Sequence, residues 1–392
     1  MPYYQRNIIV LSATIFLAAL SWNQIIPFLP LLLKQMGVTD NLLQWSGIVF
    51  AAQAVASILA QPFWGKMGDS YGRKRMVLRA GFCLTAIYFG MSYCSTPLQL
   101  AIFRFLNGAL TGFIPGSMIL IATNTPQEHA PRAVATAQSA SAAGLIIGPA
   151  LGGLLATMVG YQGSMRVSGA AVLVSTLLVW WLVQEPTKSA PAEKTSLLQD
   201  FAVSVRSPVM TSIMFVALLQ GIFGAAITPV LTIHLGTLNP HAPDWLSGLV
   251  FSLPAAAFLV SARPWSRFGE RRGFDRAILL GMLGGAAGAC CLAAANNVWV
   301  FAVVYFGASV WLAAISPSAA ATICTAVEDT FRGRAYGMQS SAAMVGSLVG
   351  PLVATNIGAA LGIRSIFVFL GAAMLAGAYG FHLLSGRKTA SQ

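Results

Sequence analysis

Stretches of roughly twenty apolar residues recur twelve times along this chain, each long enough to cross the hydrocarbon core of a bilayer as a helix. They lie near residues 8–33, 44–65, 77–95, 98–122, 133–158 and 164–184, then 209–236, 245–262, 277–295, 298–325, 335–360 and 363–384. Inside lipid, backbone polar groups have to be satisfied within the protein, which leaves helices as the form for such stretches. The expected fold is an all-α membrane protein with twelve transmembrane helices in two six-helix bundles. Composition agrees: 9% of the 392 residues are charged, against roughly a quarter in a soluble chain, too few to coat a water-exposed globule. The first stretch is too long for a cleaved signal peptide and carries Asn23, Gln24, Pro27 and Pro30 where a small-residue cleavage site would stand.

The net charge of +12 does not point to nucleic acid, because the basic residues sit in short connections between apolar spans. Nineteen Lys and Arg fall at the N-terminus, at the C-terminus and in the connections on that same side. Only Lys34, Arg166 and Arg364 fall on the other, so the bias places both termini in the cytoplasm. Arg104, the remaining one of the 23, lies well inside a span.

The longest polar interruption, Glu185 to Pro208, contains EPTKSAPAEK and divides the chain into residues 1–184 and 209–392, with a linker at 185–208 and a short cytoplasmic tail. Within it Leu197, Leu198, Phe201 and Val205 share one helical face behind Ser196 and Gln199, as in a short helix lying on the inner membrane surface. The halves also repeat. At an offset of 202, Arg132, Ala133, Ser139, Ala140, Gly144, Gly148 and Pro149 match Arg334, Ala335, Ser341, Ala342, Gly346, Gly350 and Pro351, and Pro27 and Pro115 match Pro229 and Pro317. Two homologous bundles with a binding cavity between them are expected.

Three local patterns carry more specific chemistry. After the second span the chain reads Gly65-Lys66-Met67-Gly68-Asp69-Ser70-Tyr71-Gly72-Arg73-Lys74-Arg75. Its glycines allow a tight reversal, and its basic residues suit the anionic inner leaflet. The fourth span carries Arg104 and Asn107, followed by Gly108 and Gly112, and a guanidinium inside a span needs protein or a watery cavity around it. The fifth reads Gly144-Leu145-Ile146-Ile147-Gly148-Pro149-Ala150-Leu151-Gly152-Gly153, where glycines four apart permit close helix contact and Pro149 removes a backbone donor.

These patterns resemble motifs A, B and C of the major facilitator superfamily, the last associated with its drug:proton antiporters. PFLPLLLKQMGV, WSGIVF and PFWGKMGDSYGRK add a resemblance to the bacterial MdtG-type multidrug exporters. The resemblance implies a secondary exporter of amphipathic small molecules in the bacterial inner membrane, working by alternating access and exchanging substrate for protons. It also implies that Gly65, Gly68, Asp69, Gly72, Arg73 and Lys74 form a conformational latch. The corresponding second-half stretch, Trp265-Ser266-Arg267-Phe268-Gly269-Glu270-Arg271-Arg272, is expected to place Ser266 near the position of Asp69.

Candidate coupling or cavity groups are Arg104, Asn107 and His234, the last being the histidine within a transporting helix. Asn23, Gln24, Gln53 and Gln220 are candidate polar lining, with Phe113, Phe223, Tyr305 and Trp311 as aromatic surface. All eleven acidic residues fall in connections or at span ends, which departs from an exporter with a membrane-embedded proton carboxylate. A facilitator or importer of a neutral solute is therefore the alternative. The five cysteines lack paired metal-ligand spacing and read as packing residues. The scattered histidines exclude a clustered metal centre, and no phosphate-cradling Gly-rich loop ending in Lys-Ser or Lys-Thr is present, so a membrane enzyme or an ATP-driven pump is disfavoured. No cofactor and no metal is expected; the partners are a small-molecule substrate, protons and the bilayer, and the chain is expected to act as a monomer.

Overall fold

The computed structural model describes residues 2–185, 207–327 and 329–389, apart from the side chains of 62, 65, 66, 68–70, 329–331, 333 and 385–389. The expected surface helix at 196–205 and most of the linker lie outside the described residues. Everything regular among those residues is helix. In the first half these are α1 (Tyr3–Ile25), continued through one short turn by α2 (Leu29–Gln35), then α3 (Leu42–Tyr71), α4 (Arg73–Met91), α5 (Pro97–Leu110), α6 (Phe113–Asn124) and α7 (Ala130–Leu182). In the second half they are α8 (Pro208–Leu238), α9 (Asp244–Arg272), α10 (Phe274–Ala294), α11 (Val298–Leu312), α12 (Ile315–Ala326), α13 (Asp329–Leu361) and α14 (Ile363–Thr389).

Ten continuous stretches among the described residues are long and apolar enough to cross a membrane. The 53-residue α7 is two spans in one, since its helix breaks at Gly160, where φ is 73°. The stretch left out, α4, opens on Arg73, Lys74, Arg75 and Arg79, which lower its hydropathy without shortening its helix. With the break and α4 counted, the helices are consistent with the twelve spans expected.

The reversals are tighter than the sequence suggested. The stretch after the second span is not a loop: α3 runs as helix through Tyr71, and Gly72 alone turns the chain into α4, with φ 99° and ψ 138°. Only glycine enters that region without steric cost. Gly273, between α9 and α10, has φ 96° and ψ 137°, the same turn in the second half.

The described chain separates into two compact units, one formed from Met1–Glu193 with His241–Ser252, the other from Lys194–Pro240 with Leu253–Gln392. In the first, Leu29, Leu32, Val49, Leu84, Tyr88, Met91 and Leu100 form one buried cluster and Leu11, Ile15, Val77, Phe113, Leu120 and Ala137 another. The repeat is visible in packing as well as in letters. A methyl on Gly144 would meet the backbone of Phe16 and Leu20, and one on Gly346 the backbone of Leu218 and Ile222, 202 residues further on. Gly148 faces Leu20 and Gln24 as Gly350 faces Ile222 and Ala226.

Candidate functional site

The fourth span is not continuous. Thr111 is extended and Gly112 has φ 127°, so α5 ends at Leu110 and α6 starts at Phe113. A helix end exposes backbone carbonyls that need donors. Thr111 supplies two to Asn107 O, from its backbone N–H (3.2 Å) and its hydroxyl (2.5 Å). The second span supplies two more: Ser57 Oγ donates to Gly108 O at 3.5 Å and Trp64 Nε1 to Ala109 O at 2.6 Å. The Trp64 ring in turn carries the Arg79 guanidinium, whose Cζ lies 3.3 Å from the ring centroid.

Arg104 and Asn107 occupy the last two turns before this break. Arg104 is 4% exposed, with its Cζ 5.4 Å from the Phe50 ring and 5.7 Å from the Trp22 ring. The buried Tyr88 hydroxyl is within its electrostatic reach. Asn107 is fully buried, and neither its amide nitrogen nor its oxygen has a hydrogen-bond partner; the same holds for Arg104 Nε, Tyr88 Oη and Gln53 Oε1. Each such group carries a desolvation cost of about 1–3 kcal/mol. A niche with a fixed cation, two aromatic walls and several open donors and acceptors is thus built by α1, α3, α4 and α5.

Gln24 is placed differently. Its Nε2 donates to Ser164 O at 3.1 Å and to the Ser168 hydroxyl, tying the first span to the sixth inside the unit. Asn23 is half-buried, and its Nδ2 donates to Ala19 O at 2.7 Å, one turn back on its own helix. Phe113 is 2% exposed and belongs to the core, not to an open surface.

The glycines of the fifth span make a seam of backbone contact. A methyl on Gly144 would lie 2.7 Å from Ala19 Cβ, one on Gly148 2.8 Å from Leu20 O, and one on Gly152 2.7 Å from Gln24 Cα. Gly153 turns the other way, where a methyl would meet Trp245 Cα at 2.6 Å. Tyr161 Oη, just past the break in α7, donates to Asp244 Oδ2 at 3.0 Å. Pro149 lies inside the helix between the two pairs of contacts, where it removes one N–H from the ladder.

At the opposite end of this unit, Gly65, Gly68 and Asp69 stand on the last two turns of α3, their side chains outside the described ones. Gly72 makes the turn, and Glu185 closes it: its two carboxylate oxygens accept from the backbone N–H of Arg73 and of Lys74, each at 2.9 Å. This is a carboxylate cap on a helix N-terminus. Lys74 Nζ donates to Trp180 O at 2.8 Å; burial lowers its pKa from the ordinary lysine value, and Glu185 pulls it back up.

In the second unit His234 is 2% exposed and enclosed by Phe301 and Phe367, with ring centroids 5.3 and 5.2 Å away; the Thr237 hydroxyl is 3.5 Å from Nδ1. Tyr305 packs on Phe301 at 5.9 Å, so it belongs to the same aromatic cluster. Phe223 is buried and Gln220 half-buried on α8. Trp311 is 41% exposed, rests on Gly284 and lies 5.5 Å from Trp265. The structure therefore groups Arg104, Asn107 and Gln53, groups His234 with Tyr305, and leaves Phe113 in the core. Among the described residues no His, Cys, Asp and Glu cluster could hold a metal ion.

The family model described as Major Facilitator Superfamily matches residues 11–240 and again 209–391. The chain belongs to that superfamily. It is a transporter and not an enzyme. Curated relatives include multidrug resistance protein MdtG of Salmonella arizonae, 27% identical over 99% of this chain and 98% of its own, and MdtG of Proteus mirabilis, 27% identical over 94% and 93%. Solved structures of the same fold include a bacterial homologue of the human lysosomal transporter Spinster (TM-score 0.83, 13% identity, 98% and 97% covered). The nucleoside transporter NupG also shares it (TM-score 0.79, 13% identity, 98% and 99% covered).

Within this superfamily fold, four residues matter that the sequence reading did not assign. Trp265 Nε1 donates to Val310 O at 2.8 Å, just ahead of the break between α11 and α12, as Trp64 does at the break in the fourth span. That pair, like Gly72 and Gly273, is separated by 201 residues, so a comparison at 202 passes over it. The same register corrects the second-half motif: Glu270, not Ser266, stands where Asp69 stands, three residues before the turn glycine in each half. In the sequence Glu185 stands only at the start of the linker, since nothing local marks a carboxylate that caps a helix 112 residues away.

Proposed function

We propose that this superfamily member exports small amphipathic organic compounds across the bacterial cytoplasmic membrane, in exchange for protons, acting as a monomer by alternating access with both termini in the cytoplasm. The observation that carries export is the glycine seam of the fifth span. Gly144, Gly148 and Gly152 bring its backbone onto that of α1, and the pattern that supplies them resembles motif C of the superfamily's drug:proton antiporters, in keeping with relatives named as multidrug resistance proteins. The niche around Arg104 supports binding of a small molecule: its aromatic walls suit an apolar body, and its unpartnered Asn107, Gln53 and Arg104 groups suit one polar end. Asp69 would latch one conformation at the membrane surface.

Reconstitution into liposomes with an imposed pH gradient tests this reading. A panel of cationic, neutral and anionic fluorescent amphipaths is expected to include compounds that move against their gradient and stop when a protonophore is added. Equilibrative movement insensitive to the protonophore would instead support a facilitator of a neutral solute. That second reading draws on one observation, the lack of any acidic residue in the middle of a span.

A further inference from the structure

At the ends of the spans opposite the N-terminus, the first unit has a cavity of about 500 Å³ lined by Leu32, Met36, Ser92, Tyr93, Gln162 and Arg166, among others. It is not part of the Arg104 niche. Its lining includes one cation and no carboxylate. Arg166 Nε donates a long hydrogen bond, 3.4 Å, to Ser92 Oγ, and the guanidinium Cζ lies 5.0 Å from the Tyr93 ring. Ser92 is itself buried and spends its own proton on Phe89 O at 2.7 Å, which leaves its oxygen free to accept and so to aim Arg166. No salt bridge engages the Nη groups of Arg166 among the described residues.

Two features suit a site at the membrane interface. Tyr93 is 72% exposed, as a ring in the interfacial aromatic belt would be. The lining combines apolar Leu32 and Met36 with polar Gln35, Ser95 and Gln162, the mixture that the boundary between acyl chain and headgroup calls for. A planar guanidinium held by Nε beside an aromatic ring keeps four Nη–H donors, two of which can make parallel hydrogen bonds, the geometry a phosphate accepts.

We propose that this cavity binds a phosphate oxyanion through Arg166, and that its source is the phosphodiester of a phospholipid in the leaflet on that side. Gln162 and Ser95 would meet the headgroup and Leu32 and Met36 the start of an acyl chain.

Native mass spectrometry of the full-length protein released from detergent tests the site, with phosphatidylglycerol, phosphatidylethanolamine, diacylglycerol and inorganic phosphate as separate probes. One phospholipid is expected to be retained per wild-type protein and diacylglycerol not, with retention falling about tenfold in Arg166→Gln, the effect of losing a charge-assisted hydrogen bond. Arg166→Lys, which keeps charge but loses the fork, is expected to fall between. If inorganic phosphate is retained in an Arg166-dependent way and phospholipid is not, the oxyanion site stands and its lipid source is overturned. Equal retention of phospholipid and phosphate by wild type and Arg166→Gln, or equal retention of diacylglycerol and phospholipid, would overturn the site. Arg166 is exposed, so Arg166→Gln is expected to unfold at the wild-type temperature, and unfolding curves for both proteins check that the comparison is between folded molecules.

Discussion

Arg104 has a buried guanidinium with aromatic rings beside it and no carboxylate partner among the described residues, an arrangement that stability alone does not favour. A charge kept under those conditions is expected to act on something that enters its niche. Arg104→Lys should keep part of the transport rate through its charge, whereas Arg104→Ala should lose most of it; wild-type rates from Arg104→Ala in liposomes would remove the residue from the mechanism. Glu185 is a different kind of residue, since its chemistry is satisfied within the unit. Replacing it by Ala deletes two hydrogen bonds to the first turn of α4, a change worth about 1 kcal/mol for a helix cap. A thermal unfolding midpoint a few degrees lower is expected, and an unchanged midpoint would show that solvent caps the turn equally well. Arg104 could be singled out in the sequence because charge inside an apolar span stands out by type. Glu185 could not, because its role depends on which helix end it reaches.

At the level of elements, the span positions and the glycine seam were legible because both rest on local pattern: apolar length for the spans, and a four-residue glycine spacing for the seam. The break in the fourth span was not, although Gly112 sits in it, because a lone glycine in a helical pattern does not announce a break. What fixes it is tertiary, the donation from Ser57 and Trp64 to carbonyls that the break leaves open. Gln24 and Phe113 show the same limit. Their residue types suit a cavity, but neighbouring helices claim one for a hydrogen bond to Ser164 and the other for the core. Gly148 gives the sharpest test of the seam. A single added methyl would stand 2.8 Å from Leu20 O and from Asn23 Cβ, backbone and stem atoms that cannot rotate aside. Gly148→Ala is expected to force α1 and α7 apart, at a cost of about 1–3 kcal/mol, and to lower the unfolding midpoint and transport together. A neutral effect on both would mean the seam is looser than its geometry.

For the whole molecule, the internal repeat makes one half predict the other. The indole bonds of Trp64 and Trp265 and the matching backbone angles of Gly72 and Gly273 set the register, and that register pairs Asp69 with Glu270. Both acids stand in the final turn of a long helix, α3 and α9, where the negative end of the helix dipole opposes a carboxylate by about 0.3–1 kcal/mol. Local electrostatics would place a basic residue there, as it does at the neighbouring Arg271 and Arg272. An acid retained in both halves against that preference is expected to serve the transport cycle and not the stability of its own helix. Glu270→Gln, which keeps size and removes charge, should therefore leave the unfolding midpoint unchanged or slightly raised while slowing turnover in liposomes, and Asp69→Asn should do the same. Turnover of Glu270→Gln equal to wild type at matched protein amount, with Asp69→Asn impaired, would show that the second half keeps the fold of the latch without its function.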